Sequence, residues 1–434
     1  MSDKKITSWG NYPRVLPKSF TWNLETILKK IQDKQPLIPY GNGRSYGDSA
    51  LNDYVIDMRS HNLFLDFDEV KGILHVQSGV LLSDVIEVFV PKGWFLQVSP
   101  GTKLITIGGA IASDVHGKNH HIQGCFSESV EEFTLLLPDG SLEVCSSLKN
   151  QPLFRATCGG MGLTGVIIDA KIRLKKINSK HINQTIIKAS SLKDTFEAFE
   201  KYKNMPYSVA WIDCLAKGKA LGRSLLMIGD FANDSNLSYT PKKRLNIPFY
   251  FPSFALNNFT VKAFNFLYYH KVRSSKIQSK VDLEQFFYPL DSIRNWNRIY
   301  GKGGFTQYQF ILPLSESYKG LEEILTHIAL SKKGSFLAVL KLYGKSNENY
   351  LSFPMEGYSL ALDFKIEPGL FELLEQLDAI VLKYSGRVYL AKDVRLSKEN
   401  FEKSYPKLPT FREIRKKYGL YEVFSSLQSK RLGI

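Results

Sequence analysis

At 434 residues, 44% of them apolar, the chain exceeds one ordinary core and fits a folded globular protein of two or three packed units. The 57 Lys and Arg against 42 Asp and Glu leave a net charge of +15, which favours an anionic partner: phosphate, nucleic acid or an acidic membrane face. Four dispersed cysteines without a Cys-x-x-Cys pair (Cys125, Cys145, Cys158 and Cys214) argue against a disulfide-stapled secreted domain and for a reducing compartment.

The first twenty residues, MSDKKITSWGNYPRVLPKSF, carry charge but no apolar signal-peptide core, and no run of about 18 apolar residues occurs anywhere. The expected location is the cytoplasm, free or peripheral to the inner membrane. From Trp22 to Leu174, short β-rich runs alternate with Gly-rich turns: Asn52 to Met58, Ile73 to Ser78, Glu131 to Leu137 and Ser141 to Cys145. Apolar steps of three and four predict helices over Leu24 to Gln32 and Leu82 to Val90, each covering a sheet face.

From Lys176 to about Lys383, longer aromatic-laden strands (Ser208 to Leu215, Phe305 to Leu312, Ser335 to Tyr343) and a helix over Leu321 to Leu330 predict a second unit on an antiparallel sheet. Within it, the aromatic stretch Pro248 to Tyr269 is flanked by Lys242, Lys243, Arg244, Lys271 and Arg273. That composition suits a membrane surface, or a lid, better than a spanning helix. The tail after Gly386 returns to short motifs and a basic helix, Thr410 to Tyr418. The expected class is α+β.

Three glycine-rich segments carry the chemistry. Pro39-Tyr40-Gly41-Asn42-Gly43-Arg44-Ser45-Tyr46-Gly47-Asp48-Ser49 offers bare amides, small hydroxyls and an Arg, which suit a pyrophosphate as well as they suit a tight turn. In the second, from Ser99 to Gly117, Gly108-Gly109 opens an Ala-rich stretch whose first amides and positive helix end would point at an anion. Gly159 to Ile167 repeats the theme. Neither the first nor the third sets a G-x-G-x-x-G fingerprint between a parallel strand and a helix with an acidic residue at the expected distance, which disfavours a Rossmann unit, and no Walker lysine motif occurs. His116, His120 and His121 lack a third ligand at suggestive spacing, so no metal is expected; His116 and Lys118 read better as the border of a cofactor or an anionic substrate.

Taken in order, GNGRSYGDSAL, SPGTKLITIGGAIASDVHGKNHH, GGMGLTGVI, LEQFFYPLDSIRNWNRIYGKGGFTQYQFILP, LKLYG, LSFPMEGYSLALDF and VYLAKDVR resemble the decaprenylphosphoryl-ribose 2-oxidases, within the vanillyl-alcohol-oxidase type of FAD enzymes. The likeness runs from about Trp9 to Tyr418. It implies a two-part FAD-binding domain (1–175 and 384–434) with a substrate domain (176–383) inserted between. FAD-contacting positions then fall at Pro39 to Ser49, Gly101, Thr106, Ile107, Gly108, Gly109, Ser113, Asp114, Val115, His116, Val166 and Tyr389. Arg44 stands where relatives that bind flavin covalently place a histidine, so FAD is expected to be noncovalent.

The resemblance implies hydride transfer from a sugar carbinol to flavin N5, with Lys392 near the flavin as the catalytic cation. His116, Lys118, Gln307, Gln309, Lys341 and Ala361 fall at substrate positions; strand periodicity independently sends Gln307 and Gln309 to one face. Ala361 replaces a cysteine of mycobacterial relatives, so thiol-directed inhibitors lose their anchor. The expected substrate is a polyprenyl-phosphate-linked ribose, oxidised as the first half of an epimerisation in cell-wall polysaccharide biosynthesis that a separate NAD(P)H-dependent short-chain reductase completes. A sugar-lactone or alditol oxidase is the alternative. A nucleic-acid binder is disfavoured, since no helix-turn-helix, zinc finger or RNA-binding signature is visible.

Overall fold

Runs of β-branched and aromatic residues between glycine turns build three sheets in the computed structural model, which describes residues 6–241 and 245–434. Met1 to Lys5 and the flanking bases Lys242, Lys243 and Arg244 lie outside the described residues. Lys18–Thr21 (β1), Leu37–Tyr40 (β2) and Tyr54–Asp57 (β3) form a parallel sheet with β3 central. A second sheet joins Phe64–Asp68 (β4), Ile73–Gln77 (β5), Trp94–Leu96 (β6), Val130–Leu136 (β7), Leu142–Ser146 (β8) and Val166–Lys176 (β9). β9 is its spine, paired antiparallel with β5, β6 and β7.

Both early helices form where periodicity places them. Leu24–Gln32 begins at Asn23, whose side chain accepts from the Thr26 amide, and buries Ile27 and Ile31 one turn apart. Leu82–Phe89 buries Leu82, Val85, Ile86 and Phe89 and gives way to a 3₁₀ turn at Val90–Lys92, because Pro91 has no N–H to continue the ladder.

The third sheet has eight antiparallel strands: His181–Ala189 (β10), Tyr207–Ile212 (β11), Ser224–Phe231 (β12), Lys276–Asp282 (β14), Phe305–Pro313 (β16), Ala338–Tyr343 (β17), Gly357–Lys365 (β18) and Arg387–Val388 (β19). A two-residue ladder of Leu245–Asn246 (β13) with Ile293–Arg294 (β15) stands apart. In the large sheet Gln307 pairs with Asp363, Gln309 with Ala361, and Ala361 in turn with Val339, while Lys341 pairs with Ser359. Paired residues share a face, so these side chains all project to one side. The register continues that face through Trp211, Leu225 and Met227 to Ile186. One end of the face is polar and the other apolar.

The tail differs from the reading that gives it wholly to the first unit. β19 adds to the eight-stranded sheet beside β16, and only then does the chain cross back. The return is tight: Leu37 exchanges backbone hydrogen bonds with Val423 and Ser425, and Arg431 bridges Asp48 and Asp393. Helices at Ser317–Ser331 and Leu408–Lys417 replace the shorter predicted ones. Among the described residues no helix is long and apolar enough to cross a membrane.

Candidate active site

A cavity of about 580 Å³, within the range of small-molecule and cofactor sites, opens between the loop after β2 and the polar end of the large sheet. That loop is pinned by side chains while its amides stay available. Asn42 Nδ2 donates to the Leu104 carbonyl at 2.7 Å, Tyr40 Oη donates to Thr7 O at 2.8 Å, and the Tyr46 amide donates to Ala391 O. Among the described residues the amides of Gly41, Asn42, Gly43 and Ser45, which line the cavity, donate to no protein acceptor. Glycine is required at two of these positions. A Cβ on Gly41 would lie 2.3 Å from Thr106 Oγ1, and Gly43 sits at φ +60° with the Tyr40 hydroxyl 2.1 Å from where its Cβ would be.

The helix after Thr106 is not the anion site that its Gly-Gly opening suggests. Ile107–Ala112 is six residues long, and its first amides are already taken: Ile107 donates to Val80 O, Gly108 to Ser78 O and Gly109 to Thr106 Oγ1. Gly101, Thr106, Gly108, Gly109, Ser113, Val115 and His116 instead give the cavity a thin wall of small side chains. Five expected contact residues lie behind the lining. Ile107 and Val166 are core residues, and Gly47 packs against the Asp393 backbone. Asp48 pairs with Arg431, and buried Asp114 accepts from the Ser127 amide, Asn347, Asn349 and Ser352. Their neighbours Ser49, Ala112, Gly165 and Ile167 reach the cavity, as does Ser78, whose buried hydroxyl has no partner and which no pattern flagged.

Across from the loop stand three half-buried lysines. Burial pushes Lys118 down to about 7, Lys341 to about 8 and Lys392 to about 7, with Lys341 depressing both of the others. Lys118 donates to the Phe287 carbonyl at 3.0 Å, and Lys392 Nζ sits 3.9 Å from the Tyr46 ring centroid. Among the described residues no carboxylate raises Lys118 or Lys341, and only Asp363 pulls Lys392 upward. The neighbouring Asp393 is not the partner of Lys392, being held by Arg431 and by the amides of Arg395 and Leu396.

His116 is a donor rather than a base. Its Nε2 accepts from Gln309 Nε2 at 3.1 Å, which leaves the proton on Nδ1, a buried atom with no protein partner. Burial, then Lys341, His120 and Lys392, hold the ring well below the usual histidine range and therefore neutral. Gln309 also donates to Tyr343 Oη and Ser359 Oγ, while Gln307 donates to Asp363 at 2.6 Å. Tyr389, on the returning tail, donates from Oη to Ser113 O and from its amide to Gln309 O, fastening the two walls together. Ala361 lines the cavity, and all four cysteines are buried free thiols. Among the described residues no cluster of His, Cys, Asp or Glu could hold a metal.

Residues 21–146 match the FAD binding domain family. The chain is 36% identical to the decaprenylphosphoryl-beta-D-ribose oxidase of Mycolicibacterium smegmatis, over 99% of this chain and 97% of that protein. The chain belongs to the decaprenylphosphoryl-beta-D-ribose oxidase family. Mouse L-gulonolactone oxidase is 28% identical over 41% of this chain and 40% of its own. Anaerostipes hadrus D-lactate dehydrogenase is 27% identical over 42% and 40%.

Membership makes the chain an FAD-dependent oxidoreductase of α+β fold, and the cavity fits that cofactor. A row of open amides, two glycines held at close approach and the unpartnered Ser78 hydroxyl are what a dinucleotide needs from protein. Tyr343 and Ser359 line the cavity as well, and Asp363 stands behind Gln307. Sequence reasoning quoted the strings that contain them without giving them roles.

Proposed function

We propose that this protein oxidises the 2-hydroxyl of a polyprenyl-phosphate-linked ribose to the ketone, the first half of an epimerisation completed by an NAD(P)H-dependent reductase. The observation that carries the reading is the polarity of one sheet face. Lys118, Lys341 and Lys392 gather positive charge at one end, with no acidic partner among the described residues for the first two, and Ile186, Val209, Trp211, Leu225 and Met227 make the other end apolar. Ammonium groups withdrawn from water without a counter-ion are costly and persist where a bound anion offsets that cost. A phosphate joined to a lipid satisfies both ends at once; a soluble lactone satisfies neither.

Bound FAD would supply the hydride acceptor, and the proton of the oxidised hydroxyl leaves through the cavity to solvent. Lys392 then holds the reacting oxygen and opposes the negative charge that accumulates beside it, at a position where low dielectric strengthens the effect. His116 offers Nδ1–H, and the Gln307 and Gln309 amides orient sugar hydroxyls along the wall. The open amides of Gly41, Asn42, Gly43 and Ser45 would hold the pyrophosphate. Arg44 lies over the Trp9 ring at 4.0 Å, in the loop where a flavin-linking histidine would stand. Acid precipitation of the purified yellow protein should therefore release all flavin to the supernatant; colour kept in the pellet contradicts noncovalent binding.

The apolar end continues to the surface. Tyr268 and Lys271 line the cavity and belong to the segment that exposes Phe249, Phe251, Phe254, Phe259, Phe266 and Leu267. An exposed aromatic face of this extent, beside Lys262, Lys271 and Arg273, suits the interface of an anionic bilayer in which the lipid tail remains. The double substitution Phe259→Glu and Phe266→Glu should at least halve co-sedimentation with vesicles containing phosphatidylglycerol and leave flavin content unchanged. Equal sedimentation by both proteins contradicts the assignment of this face.

A further inference from the structure

Asp363 is a buried acid that the oxidation leaves unused. It lies on β18, directly across from Gln307 on β16, and is 1% exposed. Gln307 Nε2 donates to it at 2.6 Å and the Tyr300 hydroxyl at 3.3 Å, while the Ser335 hydroxyl accepts from its amide at 3.1 Å. Gln307 and Lys392 line the cavity, and Asp363 stands behind them. One N–H of the Gln307 amide is committed to this carboxylate, which fixes the side chain at the cavity wall.

The charges around it come from five further elements. Tyr46, in the loop after β2, lies beneath Lys392 and is itself near Arg44; Tyr300 comes from the 3₁₀ turn before β16; Lys341 comes from β17, His116 from the stretch after Ile107–Ala112, and Lys392 from the tail. Of these groups Lys341, His116 and the aromatic hydroxyls cannot offset an ammonium. Asp363 can.

We propose that Asp363 is a positioning residue for the oxidation: it holds the Gln307 amide in place at the cavity wall and supplies the counter-charge that keeps Lys392 protonated beside the flavin. Burial pushes the carboxyl itself up to about 7, opposed first by the Gln307 hydrogen bond and then by Lys392, so each group's charge depends on the other. Losing the carboxylate, or the hydrogen bond that holds it ionised, therefore lowers the pH at which Lys392 gives up its proton.

The inference rests on Lys392 lying at the flavin, as proposed above, but not on which sugar is oxidised. The test is the reduction potential of FAD in the purified holoenzyme, followed against pH without substrate. The unmodified protein should show a change of slope that Lys392→Met abolishes. In Asp363→Asn that change should move at least about one pH unit lower, and in Gln307→Met it should move the same way by less. The pH dependence of flavin reduction by substrate should shift in parallel. A break that stays in place in both variants overturns the role of Asp363 while leaving Lys392 intact, and Gln307→Met decides alone if the asparagine protein does not fold. A parent protein with no break overturns both readings.

Discussion

Lys392→Met should keep its FAD and lose at least about a hundredfold in the rate of flavin reduction by substrate, the cost of removing one preorganised charge from a water-poor site. Methionine matches the lysine stem in length and flexibility. The ammonium makes no hydrogen bond to protein among the described residues, so what goes with it is the contact with the Tyr46 ring and the charge opposite Asp363. Burial already disfavours charge there and lowers Lys392 to about 7, and without the ammonium the Asp363 carboxyl should take up a proton more readily. Anaerobic single-turnover measurements should put the loss in the reduction step rather than in KM. A variant that reduces its flavin at the parental rate would remove Lys392 from the chemistry.

Gly43→Val should yield protein with at least tenfold less flavin per polypeptide. Gly43 holds φ +60°, a conformation that costs a side-chain-bearing residue about 1–2 kcal/mol and a β-branched one more. The added Cβ would also fall 2.1 Å from the Tyr40 hydroxyl and 2.6 Å from Thr7 O, the two atoms whose hydrogen bond anchors the loop. The loop must shift, and with it the amides of Gly41, Asn42 and Ser45 lose their common direction. The ratio of flavin to protein absorbance, with far-ultraviolet circular dichroism to confirm folding, measures the effect. Full flavin occupancy in a folded variant would show that these amides do not hold the dinucleotide.

What could be read from the chain alone divides along physical lines. Local pattern sufficed for Leu24–Gln32, whose apolar spacing and Asn23 cap are both in the sequence, and for the common face of Gln307 and Gln309, which period two dictates. It failed where a residue's role depends on a partner far along the chain. Asp393 adjoins Lys392 yet turns to Arg431, 38 residues later, while Asp363 stands behind Gln307, 56 residues earlier. The amides that open Ile107–Ala112 look available until Val80 and Ser78, on a neighbouring segment, are seen to accept them. Resemblance supplied Tyr389, which no spacing marks, but it also carried Asp114 and Val166 to positions behind the wall. A family alignment transfers positions and cannot tell a lining side chain from the one that supports it.

The charge-poor apolar end and the lysine-rich polar end of the sheet face separate the proposed substrate from the lactones of more distant relatives. Anaerobic mixing of the purified yellow protein with polyprenyl-phosphoryl ribose in detergent, and separately with L-gulono-1,4-lactone, tests that division by the bleaching of flavin absorbance. The lipid-linked sugar should bleach the flavin within a few turnovers' time and the lactone should leave it oxidised. Rapid bleaching by the lactone, with the lipid-linked sugar inert, would contradict the assignment.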